Sequence, residues 1–62
     1  MTDPIIVHAT ANILFQGFSV DARETAARLA SENLAAGDLD RARMWEDVVT
    51  VIGEMIEADR FH

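Results

Sequence analysis

The stretch Ala36-Gly37-Asp38 constrains this chain more than any other, because it ends one helix and begins the next within two residues. Glycine just past a helix supplies the left-handed residue that closes the last turn. An aspartate immediately after it can accept from the free N–H groups of the following helix. So short a link joins antiparallel neighbours. The chain therefore reads as all-α, with a helical hairpin turning at residues 36–38.

Hydrophobic periodicity on either side fills out three helices, at about residues 4–16, 21–36 and 39–59. Asp3-Pro4 starts the first with a capping acid and a proline at the first helical position. It continues through Ile5, Ile6, Val7, Ala9, Ala11, Ile13, Leu14 and Phe15, and Gly17 reads as its stop. Apolar residues surround most of this helix, leaving only the stripe His8, Asn12 and Gln16, so packing on more than one side is expected. The β-branched run Ile5-Ile6-Val7 leaves a strand at residues 4–8 open as an alternative. In the second helix, Asp21-x-x-Glu24 has capping-box spacing, with Ser19 as a competing cap. Ala22, Ala26, Leu29, Ala30, Asn33 and Leu34 share one of its faces, which permits close helix approach.

The third helix has the clearest period. Ala42, Trp45, Val49, Ile52 and Ile56 follow spacings of three and four, and Val48, Met55, Met44 and Val51 widen the stripe. The apolar arc spans about 180°, against about 100° for an ordinary surface helix. One intrachain partner does not cover such an arc, which points to a second contact, most simply a homodimer. Gly53, at the edge of the arc, is rationalised by a close helix crossing there.

With 62 residues the chain is a single helical domain, residues 1–62, whose small core calls for support. Cysteine is absent, so neither disulfides nor thiolate metal sites supply it. Half the residues are hydrophobic, and self-association buries that excess. The net charge of −6, with no basic stripe, argues against nucleic acid and against anionic membranes. The uncharged run from Pro4 to Val20 is broken by His8, Asn12, Gln16 and Gly17 and is short for a membrane span. No basic residues precede it as a secretory signal requires, so the expectation is a cytoplasmic protein. Five arginines, no lysine and ten alanines suggest a GC-rich bacterial coding bias.

Candidate chemistry is sparse. His8 has Asn12 as its i+4 neighbour and reads as a surface or hydrogen-bonded histidine, and His62 is terminal. Asp38-x-Asp40 fails as a calcium loop, with Arg43 where glycine is needed and Val49 where a bidentate glutamate is needed. Glu54, Glu57 and Asp59 crowd the end of the third helix without a histidine at ligand spacing and read as a solvated face. Asn33 either fixes register in a helix interface or bonds to the nearby helix end, and the second is favoured. Trp45 reads as a core anchor before a binding hot spot. No catalytic residue, cofactor or metal site is expected.

The chain resembles a group of short, uncharacterised, all-helical proteins of alphaproteobacteria. The matching residues are Ala11, Leu14 and Gly17; Ala22 and Ala26; then Ala36, Gly37, Asp38 and Trp45, with Val49 and Ile52 behind. The resemblance implies a helical domain of unknown function and carries over no active site. The resulting expectation is a small three-helix bundle completed by homodimerisation, a non-enzymatic interaction or regulatory module. Its interface is expected on the first helix and the broad face of the third, at Ile6, Ile13, Phe15, Met44, Val48, Val51 and Met55. The alternatives are a ribbon-helix-helix DNA-binding dimer with residues 4–8 as the ribbon, and a metal-binding or enzymatic bundle using His8 and the acids.

Overall fold

The structure, a computed structural model, describes residues 3–60. Three helices follow one another: α1 (Pro4–Phe18), α2 (Asp21–Ala35) and α3 (Leu39–Arg60). The described residues contain no strand, so residues 4–8 are helix and not ribbon. At the start of α1 the Asp3 carboxylate accepts from the Ile5 N–H at 2.9 Å, and Pro4 occupies a position whose N–H needs no partner.

The turn at 36–38 forms as its residues dictate. Gly37 takes φ 81°, the Gly37 N–H donates to the Leu34 carbonyl at 3.0 Å, and the Asp38 N–H reaches back to Asn33 at 2.9 Å. Together these bonds make the Schellman arrangement that satisfies the last carbonyls of a helix. Asp38 then caps α3, accepting from the Arg41 N–H at 3.1 Å.

The first turn forms differently from the sequence expectation. Gly17 does not stop α1; the helix runs on to Phe18, and Ser19 takes the positive φ of 52°. Nor does a capping box open α2. Val20 is the N-cap with no side-chain bond, and Asp21 is already helical. The cause is tertiary. Ala22, Ala26 and Ala30 face inward on α2, so the reversal has to occur in the residues just before Asp21, whatever their local preference.

Val7 and Ala11 from α1, Ala22 and Ala26 from α2, and Val48 and Ile52 from α3 form the buried cluster. Only Val48 and Ile52 among the fully buried side chains are larger than alanine. Alanines let the helices approach closely, but each buries little apolar area at about 25 cal/mol per Å². Half-buried Leu14, Phe15, Met44, Trp45, Val49, Val51, Met55 and Ile56 close over this thin centre. Both α1 and α2 pack against α3, so much of its broad arc is covered inside one chain, with Met44, Val51 and Met55 half-buried. Two intrachain partners account for much of the width of that arc. Gly53 likewise marks no close crossing, since a Cβ built there meets nothing within 4 Å.

Candidate interaction surface

The first helix has an unusual surface for an acidic molecule. From Pro4 to Phe18 it carries no Asp, Glu, Lys or Arg. Asp3 accounts for one of the six net negative charges, and the other five lie between Asp21 and Arg60. On a wheel of about 100° per residue, Val7, Ala11, Leu14 and Phe15 point toward the hairpin of α2 and α3. Ile5, Ile6, Ala9, Ile13, Gln16 and Gly17 fall on the opposite face and flank, and all are exposed. Ile5 is 77 % exposed, Ile13 71 % and Ile6 55 %. Of the seven large hydrophobics that are more than half exposed among the described residues, four belong to α1. Scattered single residues of this kind are ordinary, but Ile5, Ile6 and Ile13 share one side of one helix.

The residues expected at an interface divide accordingly. Ile6 and Ile13 lie open on α1. Phe15, Met44, Val51 and Met55 are half-buried and pack against the core. Val48 is fully buried within the chain and has no surface to present, so it belongs to the core instead. Periodicity placed Val48 on the correct stripe of α3, and the packing of α1 and α2 over that stripe removed it from the surface. Ile5, Phe18 and Val20, also more than half exposed, are not among the residues expected at an interface. The available signal was geometric, since Ile5 lies across the wheel from Val7 and Ala11.

The remaining polar candidates are accounted for locally. Nδ1 of His8 lies 2.9 Å from the Pro4 carbonyl. A carbonyl only accepts, so this nitrogen carries the proton and the ring is tied to its own helix. Asn33 donates to the Leu29 carbonyl at 2.7 Å, bonding within its helix near the end of α2. Trp45 packs on the core cluster. His62 lies outside the described residues. Among those residues, no three His, Asp or Glu side chains gather closely enough to hold a metal ion. None of the helices described is long and apolar enough to cross a membrane.

A surface cleft of about 540 Å³ lies between Asp3 and Ile6 on one side and Asp40, Arg43, Met44 and Asp47 of α3 on the other. Ile6 and Met44 are its apolar lining residues, and the charged ones are of both signs. Arg41, which also lines it, is paired with Asp38 at 3.5 Å. Comparison with protein-family models, curated proteins and solved structures finds no match to this chain.

Proposed function

We propose that this protein is a non-enzymatic helical interaction module that acts as a homodimer, joined through the outer face of α1. The observation that carries the reading is an uncharged helix with open isoleucines on a molecule whose net charge lies elsewhere. A basic partner would be drawn to the acidic α2–α3 side and would gain nothing from α1. A second copy has the opposite need. Two chains of like charge meet at least cost where neither is charged, with their acids turned outward. The same face buries apolar surface, which a thin core leaves in short supply. The acidic surface also gives DNA phosphates little to bind.

Light scattering coupled to size exclusion tests this. The wild-type chain is expected to elute with twice its 6.9 kDa mass at micromolar concentration. Ile13→Glu, at an exposed position outside the core, is expected to return it to a monomer with its helical circular dichroism intact. A wild-type monomer throughout the micromolar range would overturn the reading.

A further inference from the structure

Gly17 has no intrachain explanation. It is the penultimate residue of α1, in the last turn before the Ser19 C-cap, and its φ is not positive, so it is not the residue that closes the helix. It is exposed, and a Cβ added to it would meet nothing within 4 Å. Glycine is the costliest residue after proline in a helix interior. Its place on the helix is specific, however. Ile6, Thr10, Ile13 and Gly17 follow i, i+4, i+7 and i+11 spacing and form one stripe along a flank of α1. Thr10 is half-buried, and the other three are exposed.

We infer that two copies pair antiparallel along this stripe, with Ile6 of each seated over Gly17 of the other. The inference rests on the homodimer reading and adds its register. A two-fold axis passing between positions 11 and 12 sets Ile6 opposite Gly17 of the second copy and Thr10 opposite Ile13. Helices with small residues at the contact approach more closely, and a missing side chain makes a seat for a facing knob. Antiparallel pairing also opposes the two helix dipoles. The stripe itself carries no charge, so a second copy of this acidic chain meets like charge only at its Ile6 end, where Asp3, Asp40 and Asp47 lie beside Arg41 and Arg43. A parallel arrangement would stack Gly17 on Gly17 and leave Ile6 without a seat.

Size exchange across the axis tests the register by sedimentation equilibrium. Gly17→Leu is expected to weaken dimerisation at least tenfold. The space around Gly17 is open within the chain and leucine is the better helix former, so helical content should be kept and the dilute-solution melting temperature kept or raised. Adding Ile6→Ala to Gly17→Leu is expected to restore affinity to within about threefold of wild type, because knob and seat have only changed sides. A double variant as weak as Gly17→Leu alone overturns the register. So does a Gly17→Leu chain that dimerises normally while Ile13→Glu does not, and in that case the homodimer reading stands. A wild-type chain that stays monomeric removes both.

Discussion

Ser19 holds a backbone conformation that its side chain opposes. With φ 52° and ψ −128° it occupies the region of the first central residue of a type II′ turn, where glycine predominates. A non-glycine residue there stores about 1–3 kcal/mol of strain. Ser19→Gly should therefore stabilise the fold by about 1 kcal/mol, after the added freedom of the unfolded chain is deducted. For a domain of this size, that raises Tm by about 4–8 °C in a thermal melt. An unchanged or lower Tm would show that the turn is relaxed as it stands. The contrast with Gly37 explains which local signals could be read. Gly37 and Asp38 act on adjacent helix ends, and both backbone and side chain agree with their neighbours. Gly17 carries the same local signal but is overruled, because the inward alanines of α2 fix where the chain turns. Gly53 is also left unexplained by intrachain packing, and nothing in the structure accounts for it.

Among the elements, α3 shows what periodicity can and cannot reveal. Its stripe was legible because spacings of three and four survive in any helix that buries one side. The width of the arc was legible too. Whose surface covers it was not, since a wheel records how much of a helix is apolar and not which chain supplies the cover. The packing of α1 alongside α2 answers that and changes the expected effect of Val48. As a fully buried residue, Val48→Ala loses the burial of its methyl groups and leaves a cavity, for about 2 kcal/mol of destabilisation. The loss should appear as a lower Tm at concentrations too dilute for association. An effect confined to association, with the dilute Tm unmoved, would return Val48 to an interface. The candidate surface on α1 was half legible. Its lack of charge and its all-round apolarity stand in the sequence, but choosing the inner from the outer face required the positions of α2 and α3.

At the scale of the whole molecule, charge decides how copies meet. The protein measures 39 × 21 × 16 Å, so at low salt no part of its surface is far from its net negative charge. With a Debye length of about 30 Å at 0.01 M salt, two approaching copies repel over distances larger than their own width. At about 1 M salt the Debye length falls to about 3 Å, and the acids on α2 and α3 no longer sense each other across a contact through α1. Apolar burial is not screened in this way. Added sodium chloride should therefore tighten the homodimer several-fold, and Tm should rise with both salt and protein concentration, because association stabilises the folded chain by mass action. An interface held by ion pairs responds with the opposite sign, as exposed pairs such as Arg28–Glu32 weaken under screening. The direction of the salt response, read by sedimentation across that range, thus separates apolar contact through the neutral helix from a contact held by ion pairs of the charged hairpin. A dimer that loosens as salt is added would place the interface on α2 and α3.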